Sequence, residues 1–348
     1  MKFVLYLKRT KIKSLCFWIK SKMEKGKILI TGGAGYIGSH TIHYLITQGI
    51  NKEDILIFDN LERGNLDLIP KDIIFIKGDL KNKIEIEDVF NNFPEIVAVI
   101  HFAAYAYVGE SMEFPKKYFE NNIVGGLNLL NSMKEHDVKK IVFSSTCATY
   151  GDPLKLPIDE NHVQKPTNPY GESKLIFEKM LKWYDKIYGI KSVILRYFNA
   201  CGASFGIGEK HNPETHIIPL IIRATIKDEN INIFGNDYDT PDGTCLRDYV
   251  HVFDLAKAHL KALTYLFEND SSNQFNLGTG KGTSILELIN LINKVTGKKI
   301  NITFIGRREG DPAILFANSE KAKNILGWVA EKNINDIIFD AYNWEIKI

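Results

Sequence analysis

Lys27-Ile28-Leu29-Ile30-Thr31-Gly32-Gly33-Ala34-Gly35-Tyr36-Ile37-Gly38 decides the fold of this 348-residue chain. A short apolar run ends in glycines spaced Gly32-x-x-Gly35-x-x-Gly38, and residues 36–48 continue with helical character. The next apolar run, Ile55-Leu56-Ile57-Phe58-Asp59, completes a strand, turn, helix, strand unit. Missing side chains let the backbone turn tightly and approach a pyrophosphate seated on the helix N-terminus. Asp59 ends the second strand, where a carboxylate accepts hydrogen bonds from the adenosine ribose hydroxyls of a dinucleotide. The same carboxylate repels a ribose 2′-phosphate, so NAD is expected rather than NADP. Arg63 softens that preference without reversing it. A turn-capping role for Asp59 is the structural alternative. Asp79, after Lys77-Gly78, is placed to reach the adenine.

Working outward, apolar runs recur at Ile73–Ile76, Val97–Phe102, Lys140–Ser144 and Ser192–Arg196, separated by polar or helical segments. Continuous apolar strands alternating with helices predict an α/β fold, a Rossmann-type doubly wound parallel sheet. Beyond about residue 200 the pattern becomes loop-rich, with shorter elements. We expect a cofactor domain at 26–199, with a contribution from about 246–256. A smaller C-terminal α/β substrate domain at 200–348 is expected to be interleaved with it.

Composition bounds the function. The chain is 45% hydrophobic and 25% charged, as for a soluble globular protein, and its net charge of +2 gives no case for nucleic acid. Cys16, Cys147, Cys201 and Cys245 are scattered, with no C-x-x-C pair and no His cluster at ligand spacing. No metal is therefore expected, and a reducing cytoplasmic location is. Residues 1–22 hold seven basic and no acidic residues, but Lys8, Arg9, Lys11 and Lys13 interrupt any membrane span. Met23-Glu24-Lys25-Gly26 resembles a normal start, so 1–25 are read as an inert extension. A basic anchor or organelle-targeting segment is the alternative.

The chemistry is carried by Asn168-Pro169-Tyr170-Gly171-Glu172-Ser173-Lys174. Tyr170 and Lys174 share one helix face, and an ammonium beside a phenol favours phenolate, drawing its pKa toward neutrality. Such a phenol serves as the base that oxidation of an alcohol by a nicotinamide requires. The strand Ile141–Thr146 ends in hydroxyls, and ligands bind beyond the carboxyl ends of parallel strands, which puts Thr146 at the cleft mouth. Ser144 and Ser145 are read as strand-end residues satisfying the backbone.

Several longer stretches resemble the UDP-glucose 4-epimerase family, within the extended short-chain dehydrogenase/reductases. They include Thr31–His40, Val108–Ser111, Phe143–Asp152, Arg196–Asn199, Gly243–Val252 and Arg307–Asp311, in the family's order from about Lys27 to Trp344. The resemblance implies that Tyr170 takes the proton of the sugar 4-hydroxyl as hydride passes from C4 to NAD. The 4-keto sugar then turns about its phosphate linkage and is reduced on its other face. It further implies that Lys174 holds the nicotinamide ribose and Thr146 bonds the sugar oxygen. The cofactor would be lined by Gly32, Gly35, Tyr36, Ile37, Gly38, Asp59, Asn60, Asp79, Leu80, Phe102, Ala103, Ala104, Asn121 and Phe198. For the UDP-sugar it implies Asn199, His216, Ile217, Asn232, Phe234, Arg247, Tyr249, Arg308, Asp311 and Leu315. A homodimer through the Tyr170 helix and a helix near 115–136 is implied by the same resemblance. Ala106 stands where some members carry a lysine that contacts NAD, which predicts looser cofactor retention.

Related reactions are separated by the residues directly after Thr146. Dehydratases and decarboxylases on this framework place a carboxylate there, whereas this chain has Cys147 and Ala148. UDP-xylose/UDP-arabinose and UDP-GlcNAc/UDP-GalNAc epimerisation stay open as alternatives. By resemblance, Leu315 gives intermediate room beside the sugar C2 substituent and predicts a preference for unacetylated sugars. A non-catalytic NAD sensor would require Thr146, Tyr170 or Lys174 to be lost, and all three are present.

Overall fold

The computed structural model describes residues 26–308 and 312–348. Its first half alternates strand and helix. β1 (Lys27–Thr31) leads through the glycine turn into α1 (Tyr36–Thr47), followed by β2 (Ile55–Asp59), β3 (Ile74–Lys77), α2 (Lys83–Asn92) and β4 (Ile96–His101). Two short helices, α3 (Val108–Glu113) and α4 (Pro115–Phe119), run through a π-helical turn, Glu120–Gly125, into α5 (Gly126–Glu135). The predicted helix near 115–136 is present as one continuous run, Pro115–Glu135, with the π-helical turn inside it. β5 (Lys140–Thr146), α6 (Pro169–Tyr188), β6 (Lys191–Tyr197) and β7 (Asn199–Cys201) follow.

The second half has α7 (Ile217–Lys227), β8 (Asn230–Phe234), β9 (Leu246–Arg247), β10 (Tyr249–His251), α8 (Val252–Asn269), β11 (Asn273–Leu277) and β12 (Thr283–Ser284). It ends with α9 (Ile285–Thr296), β13 (Asn301–Ile305), β14 (Ile314–Leu315) and α10 (Ile334–Glu345).

Seven strands form one parallel sheet in the order β3-β2-β1-β4-β5-β6-β11. The six strands read from the sequence are present, and β11 is added at the far edge. The order reverses between β1 and β4, the switch point at which a parallel sheet opens a crevice. Both faces are covered. One apolar cluster joins α1 and α8 to the sheet through Ile30, Ile42, Leu45, Leu255 and Leu263. The other joins α2, α5 and α6 through Leu29, Phe90, Leu130, Phe143 and Phe177. This two-sided burial explains why the strands read as unbroken apolar runs. A third cluster, with Ile221, Ile222, Ile289, Ile292, Ile337 and Ile338, packs α7, α9 and α10 together.

Among the described residues no helix is long and apolar enough to cross a membrane. Ile100 in β4 is fully buried at the sheet centre. Ile100→Ala is expected to lower unfolding stability by about 2–5 kcal/mol, read as a drop in the urea midpoint at unchanged slope.

Candidate active site

The glycine turn is fixed by contact as well as conformation. Gly32 has φ of +72°, and a Cβ there would lie 2.4 Å from the Ala103 nitrogen. Only glycine fits between β1 and the segment after β4. The chain's open backbone thus faces the N-terminus of α1, where a pyrophosphate is accommodated. Asp59 ends β2 and is buried, accepting the backbone N–H of Ala34 at 3.0 Å and of Leu61 at 2.8 Å. It therefore braces the turn, and each carboxylate oxygen keeps lone-pair capacity for ribose hydroxyls. Burial raises its pKa, against the pull of those two N–H donors. Arg63 donates to Glu110 at 2.9 Å and to the Asn212 carbonyl at 2.9 Å, so its charge is paired.

Across the switch point, β5 carries the catalytic candidates into the same crevice. Asn168 caps α6 by accepting the Gly171 N–H at 2.8 Å, and Pro169 occupies the first turn. A Cβ on Gly171 would lie 2.5 Å from the Ala148 carbonyl oxygen, so the helix start sits directly on the end of β5. That approach sets Tyr170 beside Thr146, whose hydroxyl hydrogen-bonds the phenol. One turn on, the Lys174 ammonium donates to the Ser144 carbonyl at 2.8 Å and lies 4.8 Å from the Phe143 ring centre.

This geometry corrects the expected titration. Burial pushes the Tyr170 phenol up from its ordinary value, Tyr197 adds to the shift, and Thr146 opposes it. Lys174 does not offset that rise. Burial itself lowers Lys174 to about 7, despite Glu178. The expectation from spacing needs a fully charged ammonium against the phenol, and desolvation weakens that charge.

Ser144 and Ser145 also differ from expectation, since their hydroxyls serve side chains. Ser144 Oγ bonds His259 Nε2 at 3.1 Å and meets the Tyr197 phenol. Ser145 donates to Glu178 at 2.5 Å, and Glu178 is chelated by Arg196 at 3.0 and 2.6 Å. Tyr197 lies in the Arg196–Asn199 stretch without a role read for it, and Glu178 lies in none of the quoted motifs. Glu178 does carry a signal there, since it succeeds Tyr170 and Lys174 at the same four-residue spacing.

A cleft of about 930 Å³ brings the sites together. Its walls include Gly35, Tyr36, Ile37, Gly38, Asn60, Asp79, Leu80, Phe102, Ala104, Asn121 and Phe198 on one side. On the other are Asn199, His216, Ile217, Asn232, Phe234, Arg247, Tyr249, Arg308 and Leu315, with Thr146, Tyr170 and Lys174 between. Asp311 lies outside the described residues. Arg308 covers the Phe234 ring at 4.6 Å, and Leu315 pairs in register with Arg247. Phe234 is 38% exposed, so it is a wall of the cleft rather than an ordinary core side chain. The described carboxylates of the lining, Asp59, Glu62, Asp79, Glu110 and Glu113, all come from the cofactor half. Beside Thr146, burial raises the Cys147 thiol to about 12, so it stays protonated.

One grouping is not visible from linear spacing, which shows no His cluster at ligand distance. Folding brings the ligand atoms of Glu209, His211, Glu214 and His216 to within 4.8 Å of one another. The sequence signal is two Glu-x-His units five residues apart.

Comparison with known proteins agrees with this arrangement. Residues 28–278 match the NAD dependent epimerase/dehydratase family. The chain is 48% identical over 321 residues to a UDP-glucose 4-epimerase of Halalkalibacterium halodurans, covering 91% of this chain and 95% of that one. It is 50% identical over 321 residues to that of Streptococcus mutans, at 91% and 96% coverage. The solved UDP-glucose 4-epimerase of Brucella ovis in complex with NAD superposes with a TM-score of 0.87 at 43% identity, covering 92% and 98%. That of Bifidobacterium longum, in complex with NAD+ and UDP, gives 0.86 at 38% identity, again at 92% and 98%.

The lowered Lys174 pKa has a linkage consequence. Unfolded, this lysine titrates near 10.5, so between about 7 and 10.5 the unfolded chain binds more protons than the folded one. Stability contributed through this group is full above about 10.5 and lost as pH falls to about 7. Lys174→Met is expected to flatten the pH slope of unfolding stability in that window relative to wild type, measured by denaturant titration at each pH.

Proposed function

The chain belongs to the NAD dependent epimerase/dehydratase family, and we propose that it interconverts UDP-glucose and UDP-galactose by reversible oxidation at the sugar C4. The observation that carries this reading is the convergence of Thr146, Tyr170 and Lys174 with Arg247 and Arg308 in one cleft. NAD, when bound, supplies the acceptor and then the donor of the C4 hydride and brings a positive ring into the cleft. The Gly32 turn fits its pyrophosphate, and Asp59 with the paired Arg63 favours an unphosphorylated ribose.

The residues divide the work. Tyr170 Oη takes the 4-hydroxyl proton and later returns it, while Thr146 Oγ1 orients the same oxygen. Lys174 holds the nicotinamide ribose by turning its ammonium from the Ser144 carbonyl. Arg247 and Arg308 hold the diphosphate through planar, multiple donors, leaving the sugar free to present either face. Asn199, His216, Ile217, Asn232, Phe234 and Tyr249 complete the nucleotide pocket, and the resemblance adds Asp311, outside the described residues. Among the described residues no carboxylate lies beside Thr146 and Cys147 carries no thiolate, which supports simple epimerisation over loss of water or carbon dioxide. Leu315, half-buried in the wall, supports a preference for unacetylated sugars.

Residues 26–199 serve the cofactor and 200–348 the UDP-sugar, save that the expected return at about 246–256 extends through α8 and β11, which complete the parallel sheet. Exposed Val124, Leu127, Trp183 and Ile187 support a homodimer along α5 and α6. Cytoplasmic function is supported by Cys147 and Cys201, buried thiols in no disulfide.

Purified protein given UDP-galactose without added NAD is expected to yield UDP-glucose, by product chromatography. Tyr170→Phe is expected to keep NAD and lose roughly 10²–10⁴-fold in kcat. Full activity in that variant refutes the assigned base. The kcat/KM for UDP-GlcNAc is expected to fall below that for UDP-glucose, and equal values overturn the stated preference.

A further inference from the structure

The segment between β7 and α7 contains two Glu-x-His units, Glu209-Lys210-His211 and Glu214-Thr215-His216. Residues two apart in extended backbone point to the same side, so each unit offers a carboxylate and an imidazole together. The chain folds back between the units, and all four donor atoms come within 4.8 Å of one another. We propose that Glu209, His211, Glu214 and His216 bind a divalent transition metal of the zinc class, as a structural site.

Three features support this beyond proximity. The first is burial, since the side chains of Glu209 and Glu214 are each 4% exposed. Two carboxylates held together out of water repel each other, and a cation between them relieves that repulsion. The second is unused valence. Glu214 Oε1 accepts the N–H groups of Thr215 and His216 at 2.9 and 3.0 Å. Its Oε2 is buried with no hydrogen bond, meeting Arg223 only as an ion contact at 3.4 Å. His211 Nδ1 is likewise buried without a hydrogen bond, 2.9 Å from Glu209 Oε1. Of the two, His211 Nδ1 points into the cluster, 3.9 Å from Glu214 Oε1. The third is donor type. Two imidazoles and two carboxylates suit zinc, whereas calcium and magnesium take oxygen alone.

Four protein donors close the coordination shell, the mark of a structural rather than a catalytic zinc. His216 Nδ1 is hydrogen-bonded to Glu209, and the metal takes the place of the proton between them. The position gives the site a purpose. His211 packs edge-on against Tyr36 of the glycine turn, at 6.0 Å between ring centres, and against Tyr107 at 5.7 Å. His216 caps α7, whose first residues line the substrate side of the cleft. A metal here ties the cofactor wall to the substrate wall.

The test uses untagged, full-length protein carrying its NAD, treated with chelator and titrated with zinc chloride. About one zinc per chain is expected by elemental analysis, with a rise in Tm that magnesium does not produce. His211→Ala and Glu214→Gln are each expected to weaken zinc binding by about 10–100-fold, with NAD content reporting that they fold. Absence of stoichiometric zinc in wild type, or unweakened binding in both variants, overturns the proposal. Cobalt substitution of wild type gives a readout that needs no variant. Tetrahedral ligand-field bands without a thiolate charge-transfer band are expected, and a thiolate band places the metal on cysteine and refutes the site.

Discussion

Everything in the cleft depends on the seam between α6 and the end of β5. Tyr170, Lys174 and Glu178 recur every four residues, so they stand one above another on a single helix face. Each meets its own part of the strand: Tyr170 at Thr146, Lys174 at the Ser144 carbonyl, Glu178 at the Ser145 hydroxyl. The rise of a helix turn and the spacing of a strand do not match indefinitely. Three such contacts therefore determine the rotation and the height of the helix together. Gly171 sets the third coordinate, distance, because only a residue without Cβ lets the helix rest on the Ala148 carbonyl.

The far end of this seam is held by the Arg196–Glu178 pair, 2% and 0% exposed. A buried ion pair contributes little net stability over an apolar replacement, because desolvation offsets the attraction. Its value here is positional. Glu178 receives Ser145, Gln164 and both forks of Arg196, and Arg196 also reaches Tyr150 Oη at 2.9 Å. A helix that slid by one residue would leave those charges unmatched out of water. The cost of a misplaced helix is thus carried by a pair that does not line the cleft.

The sheet was legible because its strands are buried on both faces and its glycine turn has one physical reading. Six strands and α1 lie within one or two residues of the sequence reading. β11 escaped because Asn273-Gln274-Phe275-Asn276-Leu277 alternates polar and apolar residues at a sheet edge, and so lacks the unbroken run of its neighbours. The walls of the cleft were legible through motifs, down to Phe234 and Leu315. What sequence could not supply was direction. The ammonium of Lys174 donates to the Ser144 carbonyl, a strand partner that the four-residue spacing from Tyr170 does not reveal. The Glu209–His216 cluster was hidden for a related reason, since its ligands meet only after the segment folds back on itself.

The titration of the pair bears on the order of events. A phenol raised by burial beside a lysine near 7 is not a ready base in the bare protein. Both shifts have one cause, the exclusion of water from the floor of the cleft. Desolvation disfavours a lone phenolate and a lone ammonium alike, but it strengthens attraction between opposite charges brought in together. The same burial that raises Tyr170 makes its pKa sensitive to any positive charge added nearby. In the role proposed for Tyr170, its ionisation is thereby coupled to a filled cofactor site, and the phenol stays neutral until a positive charge enters.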